Sequence, residues 1–390
     1  MVVPARQALT VPVTRHAALS LLTVACLVSC GSWGPSPRFD ETHWARLGTS
    51  GIPADRLTEL QGGAGWDHGF VLAGSHWVPT EPNRDVLDLY ISGDGRRWRP
   101  VSLNGLLKFS DSPASGYRGS AYVLGSGVSS AALWTTHDGT TWKAAPLPGS
   151  ELGAAPIAVA AGPRGVVVIG SGSMSDTVTG GGGLRIWHSA NGMSFGLPRR
   201  VVVPLVSSGE FVPQVSATAD GFLIYGTTRL SGESMLLTSS DGVGWRNTAG
   251  GVTGTVETLV QNAGTSVTFT YGKLADGGPT VWRRKKGSTR WSSSKDISVG
   301  RLPDANVAPP EEQSISDVAA WQDGFVASGS SSGGGALWLS ADGVTWSRVP
   351  VKANGFEATG HLTVLTNRAA ALAVGYGSFD NLINIWRGTT

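Results

Sequence analysis

The chain has 390 residues, only 15% of them charged, and a formal net charge of +2. With no basic stripe interleaved with aromatics, that balance gives no footing for a nucleic-acid partner. Fifty-five glycines and fifteen tryptophans point instead to turn-dense β structure.

Residues 1–30 read as an export signal. Arg6, Arg15 and His16 form its positively charged start, and Ala17 to Val28 form an apolar run too short to span a bilayer. No twin-arginine pair is present, so the general secretory route is expected. The run ends in Leu27-Val28-Ser29-Cys30, which looks like a bacterial lipobox with Cys30 as the acylated residue. Two or more acyl chains there would anchor the protein stably, at about 0.8 kcal/mol per buried methylene. The only other cysteine, Cys26, lies in the same segment, so the exported domain has no disulfide. Residues 31–41 form a short flexible tether, and residues 42–390 the folded domain.

Within that domain one hairpin recurs. An apolar strand ends in Ser or Thr, Asp-Gly follows, and an aromatic sits three residues after the glycine. The copies centre on Asp94-Gly95, Asp138-Gly139, Asn191-Gly192, Asp241-Gly242, Lys286-Gly287 and Asp342-Gly343, with aromatics Trp98, Trp142, Phe195, Trp245, Trp291 and Trp346; the fifth is degenerate, with one extra residue before Trp291. A seventh strand, Asn384-Ile385-Trp386-Arg387-Gly388, begins the pattern without completing it. Asp-Gly between two extended runs predicts a two-residue type I′ turn. Asp94, Asp138, Asn191, Asp241 and Asp342 are therefore structural turn residues. The aromatics are expected to pack between neighbouring sheets, where their large area counts most.

A second marker repeats seven times: a short apolar strand ending in glycine, as in Phe70 to Gly74, Val167 to Gly170, Phe325 to Gly329 and Leu372 to Gly375. Another apolar run precedes each, for example Ile157 to Ala160. Four strands per repeat, seven times over, predict an all-β, seven-bladed β-propeller of four-stranded antiparallel blades. The unfinished last hairpin needs an outer strand. His43-Trp44-Ala45-Arg46-Leu47 is predicted to supply it, closing the ring with Trp44 in the place of the missing aromatic.

These residues resemble the Asp-box (BNR) repeats of sialidase-like β-propellers, with Ser340-x-Asp342-Gly343-x-Thr345-Trp346 one residue shorter between Asp and Gly than the usual pattern. The resemblance implies a propeller and raises a sialidase-like glycoside hydrolase as one possible activity. Asp boxes lie away from the catalytic centre in that family. The family's Arg-Ile-Pro motif is absent; Arg301-Leu302-Pro303 is the nearest string, late in the chain. Tyr225 and Tyr271 fall at equivalent repeat positions, which favours packing over catalysis.

Function is expected where the repeat breaks, on the face opposite the Asp-Gly turns. The long segments there are Ser75 to Asp85, Gly172 to Gly183, Pro198 to Phe211 and Asp296 to Gln313. In the first, Trp77 offers a stacking face and Glu81, Asn83, Arg84 and Asp85 offer directional hydrogen bonds, a mixture suited to a glycan or a peptide. Glu311 and Glu312 are adjacent and point opposite ways in extended chain, so they make a poor acid–base pair. Gly329 to Gly333 matches Gly-x-Ser-x-Gly by letters alone and reads as a hairpin loop. Gly180 to Gly183 reads as a flexible loop, because no helix follows. The histidines show no metal-ligand spacing. No cofactor, metal or catalytic set is expected. The sequence therefore predicts a monomeric, lipid-anchored binding or scaffolding module on the outer side of the bacterial cytoplasmic membrane, with an envelope protein or glycan as partner.

Overall fold

The computed structural model describes residues 42–78, 85–103, 108–126, 130–152, 155–171, 183–202, 213–227, 234–248, 250–271, 279–288, 290–294, 313–331, 334–350, 354–356, 359–377 and 382–389. They form a seven-bladed propeller. Strand β1 (His43–Leu47) belongs to the last blade, and blade one follows it as β2 (Glu59–Trp66), β3 (Gly69–Trp77), β4 (Asp85–Ser92) and β5 (Arg99–Pro100). Blade two is β6 (Lys108–Tyr117), β7 (Ser120–Ser126), β8 (Ala131–Thr136) and β9 (Lys143–Pro146). Blade three is β10 (Pro156–Gly162), β11 (Gly165–Ser171), β12 (Gly183–Ser189) and β13 (Arg199–Val202). Blade four runs β14 (Gln214–Thr218), β15 (Gly221–Thr227), β16 (Ser234–Ser239) and β17 (Arg246–Asn247). Blade five runs β18 (Thr255–Asn262), β19 (Thr265–Tyr271), β20 (Thr280–Lys285) and β21 (Ser292–Ser294). Blade six runs β22 (Ser314–Trp321), β23 (Gly324–Ser331), β24 (Gly334–Ser340) and β25 (Ser347–Arg348). Blade seven is β26 (Thr359–Thr366), β27 (Ala371–Gly377) and β28 (Ile383–Thr389), with β1 as its outer strand.

The ring closes as the sequence predicts. Strand β1 pairs antiparallel with β28, from His43↔Thr389 to Leu47↔Ile385. Trp44 is buried against Trp321 and Phe356, with ring centroids 6.2 and 6.3 Å away. Gly388 has to be glycine, because a Cβ there would lie 2.9 Å from Cζ2 of Trp44.

Seven apolar clusters occupy the seven interfaces between blades, and each holds one aromatic of the repeat. Trp98 packs between blades seven and one, Trp142 between one and two, and Phe195 between two and three. Trp245, Trp291, Trp346 and Trp44 continue the series round to blades six and seven. An antiparallel sheet of four strands cannot cover both its faces, so this side-by-side burial is what holds the ring together.

The turn chemistry differs from the sequence expectation. A type I′ turn needs positive φ at both central residues, yet only the glycines adopt it, at 79° for Gly95, 70° for Gly139, 75° for Gly242 and 73° for Gly343. The aspartates act through their side chains instead. Asp94 Oδ1 accepts the N–H groups of Arg96 and Arg97, and Ser92 Oγ accepts that of Gly95. Thr136/Asp138, Ser239/Asp241 and Ser340/Asp342 repeat the arrangement. In blade three Asn191 Oδ1 accepts from Met193 and Ser194. The carboxylate satisfies a loop that is longer than two residues, as an Asx turn does. The glycine serves packing as well: a Cβ on Gly242 would lie 2.5 Å from His188, and one on Gly343 2.5 Å from Val267, both in the preceding blade.

Three segments read as loops are partly strand. Trp77 and Asp85 are paired ends of β3 and β4. Arg199–Val202 is the outer strand of blade three, and Gly329 to Ser331 complete β23. Glu81, Asn83, Arg84, Glu311, Glu312 and the export and tether residues lie outside the described residues.

Candidate functional site

The innermost strands β2, β6, β10, β14, β18, β22 and β26 surround a central cavity of about 490 Å³. Six of the seven break register near the end where the chain arrives from the previous blade, opposite the Asp turns. An extra residue stands out of the ladder at Gln61, Ile157, Glu257 and Ser316, and in the segments 110–113 and 360–361. Only β14 runs through, starting at Gln214↔Tyr225. A bulge re-aims its side chain and ends regular pairing, and bulges gather beside functional sites. Here they form a tier around one mouth of the channel. Gln61, Gln214, Glu257, Ser316, Asp317 and His361 all line the cavity.

The bulges explain the glycine that ends the second strand in several blades. Gly74, Gly170, Gly329 and Gly375 stand across from the bulged segments. A Cβ on Gly329 would lie 1.8 Å from the carbonyl oxygen of Ser314, and one on Gly375 2.3 Å from that of His361. In these blades the inner strand buckles beside a neighbour that carries no side chain, whereas in blade five Glu257 bulges across from Thr270. The marker that set the blade count is thus also the signature of the mouth.

The electrostatics are those of polar groups held among protein walls. Burial pushes the Asp317 carboxyl up to about 6, although the backbone N–H groups of Val318 and Val364 pull the other way. Burial likewise pushes Glu257 up and His361 down. Channel solvent still reaches Glu257 and His361, but the walls replace much of their hydration, and each leans toward its neutral form. Tyr225 is pushed up by burial and then by Asp317. Tyr271 is pushed up to about 12, by burial first; its hydroxyl donates to the Ile315 carbonyl at 3.2 Å and accepts the Ile315 N–H. These tyrosines tie neighbouring blades, as their repeat positions imply. Among the described residues the cavity lining includes two carboxylates and no lysine or arginine.

A second polar group lies in blade one on the same face. His76 Nδ1 is 2.8 Å from Asp88 Oδ2, and Arg56 reaches His76 Nε2 at 2.6 Å. Arginine only donates, so Nε2 must be the unprotonated nitrogen and Nδ1–H donates to Asp88. The Leu57 N–H donates to the same carboxylate oxygen at 2.8 Å. The histidine lone pair is taken by Arg56, which leaves this pair no free base. Its work is to fasten the crossing from β1 to β2, where Leu57 sits at φ 49°. Sequence reading missed Asp88 because it falls within an ordinary strand.

Of the loop residues singled out from sequence, the backbone places Trp77 and Asp85 opposite one another on the mouth face, at the ends of β3 and β4. No group of three or more His, Cys, Asp or Glu side chains suited to a metal ion occurs among the described residues.

No family model matches the sequence, and no curated protein matches it. Solved structures match in shape. The uncomplexed acylaminoacyl peptidase of Pyrococcus horikoshii shares 8% identity over 85% of this chain and 52% of its own, with a TM-score of 0.55. This chain therefore spans about half the length of that peptidase. The β-propeller domain of the Trilobed protease from Pyrococcus furiosus, with an open velcro topology, shares 7% identity over 84% of this chain and 94% of its own, at a TM-score of 0.51. The phage phi92 endosialidase shares 10% identity over 89% and 68%, at 0.45. At identities of this order the likeness establishes the β-propeller fold and says nothing about the chemistry at the mouth.

Proposed function

We propose that the protein is a lipid-anchored propeller that serves as a binding module at the outer side of the bacterial cytoplasmic membrane, and that it takes its ligand at the mouth of the central channel. The observation that carries this reading is the tier of six bulged inner strands, which departs from regular pairing in one place and there presents amide, hydroxyl, imidazole and carboxylate groups to one cavity. Such a lining suits a hydroxyl-rich or otherwise polar ligand, a glycan or a polar segment of an envelope protein. Anionic ligands are disfavoured, because the described lining offers carboxylates without a cation. That same lining gives a sialidase-like hydrolase no arginine to hold a substrate carboxylate.

The test compares the wild-type protein with a Gln61→Ala/Glu257→Gln variant for capture of native-envelope components and of arrayed glycans. Retention by the wild type and loss by the variant, at equal melting temperature, supports the mouth as the site; equal retention refutes it. The anchor is tested separately. Cys30→Ala should move the protein from the membrane to the soluble fraction, and unchanged membrane association would remove Cys30 as the anchor.

A further inference from the structure

The aromatics at the blade interfaces are not equally covered. Trp98, Trp291, Trp346 and Trp44 are buried, and so are the third-strand residues Trp187, Trp338 and Trp386. Phe195, Trp245 and Trp282 are half-buried, but among the described residues only the interface between blades one and two has two half-buried aromatics together. Trp134 of β8 and Trp142 of the following turn are only half-buried. After blades two, four and six the chain that leaves the outer strand seals the interface. Leu147, Val252, Val349 and Phe356 are buried there, while Val101 and Leu103, which do this after blade one, are half-buried.

The result is a cleft of about 380 Å³ lined by residues 99–103, Trp134, Thr140 and Trp142. That volume falls within the range of small-molecule sites, roughly 300–1,000 Å³. The indoles of Trp346, Trp386 and Trp44 meet other rings, with centroids 5.1 to 6.4 Å apart. No such ring contact is made by Trp134 or Trp142 among the described residues. Arg99, the one charged group in the lining among the described residues, already donates to the Gly139 carbonyl at 2.5 Å. The hydroxyls of Ser102 and Thr140 lie along the same cleft.

We propose that this cleft is a carbohydrate subsite, in which a neutral pyranose packs its C–H face against the indoles of Trp134 and Trp142. The face of an indole is negative and large, and the axial C–H groups of a pyranose are apolar and weakly positive, so the two surfaces match. The hydroxyls of the sugar find Ser102, Thr140 and the fixed guanidinium of Arg99 at the rim. An engaged arginine, and a lining that among the described residues holds no carboxylate, favour an uncharged ligand. The site lies at the outer part of the ring and does not depend on the mouth.

The experiment titrates the purified full-length protein with chitotetraose, cellotetraose, maltotetraose and decaproline, following intrinsic tryptophan fluorescence. One of the sugars should saturate, and Trp134→Ala should weaken it at least tenfold. Leu197→Ala, at an exposed position outside both sites, should leave that affinity unchanged, and because the mouth is read by a separate retention assay the two sites can fail independently. A measurement on the wild type needs no variant. The same sugar should protect Trp134 and Trp142 from oxidation by N-bromosuccinimide, read by peptide mass spectrometry. Absence of saturation by every sugar, unchanged oxidation of both indoles in the presence of a bound sugar, or saturation by decaproline alone would each overturn the proposal.

Discussion

Trp44→Ala tests whether the ring is sealed by the strand that the sequence nominates. Trp44 is 8% exposed and faces Trp321, Phe356 and the Cα of Gly388. Truncating a buried Trp costs about 3–5 kcal/mol, the lost transfer energy plus the cavity left behind. For a ring of roughly 350 residues the unfolding entropy near the midpoint is about 0.7 kcal/mol/K, so the midpoint should fall by about 4–7 °C. Gly388→Ala attacks the same contact from the other side. Its Cβ would sit 2.9 Å from a buried ring that has nowhere to swing, at a cost of about 1–3 kcal/mol. The two losses should not add, because the double variant has no ring to collide with. Scanning calorimetry on the three proteins gives the full cycle. A Trp44→Ala midpoint within about 1 °C of wild type, or a Gly388→Ala cost that survives removal of the ring, would show that closure does not rest on this contact.

Other predictions concern charge and burial. The turn carboxylates all titrate low. At Asp138 the N–H groups of Thr141 and Thr140 hold it down, and at Asp241 those of Gly244 and Val243 lower it to about 2. At Asp94 and Asp342 burial pushes upward but the turn donors prevail. A depressed folded pKa contributes stability above the unfolded value near 4 and loses it as pH falls toward 2. Replacing all four with Asn keeps an acceptor that does not titrate, so the variant's melting temperature should be flatter between pH 5 and about 2 than the wild type's; parallel curves would refute the assignment. Asp317 has the opposite sign. Its stability contribution is complete below about 4 and is lost as pH rises through about 6, so Asp317→Asn should gain up to about 3 kcal/mol at pH 8 and nothing at pH 3.5. Urea unfolding at the two pH values checks it, and an equal effect at both would sink it. Asp88→Ala should cost about 2–4 kcal/mol in the same assay, because it leaves the His76 N–H and the Leu57 N–H buried without an acceptor; a loss under about 1 kcal/mol would mean the knot is incidental.

The architecture was legible because two periodic signals agreed. Alternating apolar strands set the count of blades, and the recurring aromatics, down to Trp44 as the stand-in, marked the interfaces between them. Turn type was not legible, since Asp-Gly serves equally as a two-residue hairpin and as an Asx loop. Only the register, in which Ile91 faces Arg99 across a longer connection, separates them. Arg199–Val202 escaped notice because a four-residue edge strand with two arginines has no apolar face to show. The mouth was hidden for a different reason. Inner strands present an edge to the channel, and period-two patterning describes faces. Gln61 and Ser316 look like interruptions of a strand until Gly74 and Gly329 are seen to make room for them.

Closure by β1 also fixes how the ring would carry load. Within blade seven β28 runs toward the face of the Asp turns and β1 runs back, so His43 enters beside Thr389 on that face and Leu47 points toward the mouth. The axis of β1 at His43 points away from the mouth. Force in that direction shears the five rungs from His43↔Thr389 to Leu47↔Ile385 together, whereas peeling would break them one by one. The seal of the ring is thus also the place where a pull on the N-terminal end of the propeller is shared across a whole ladder.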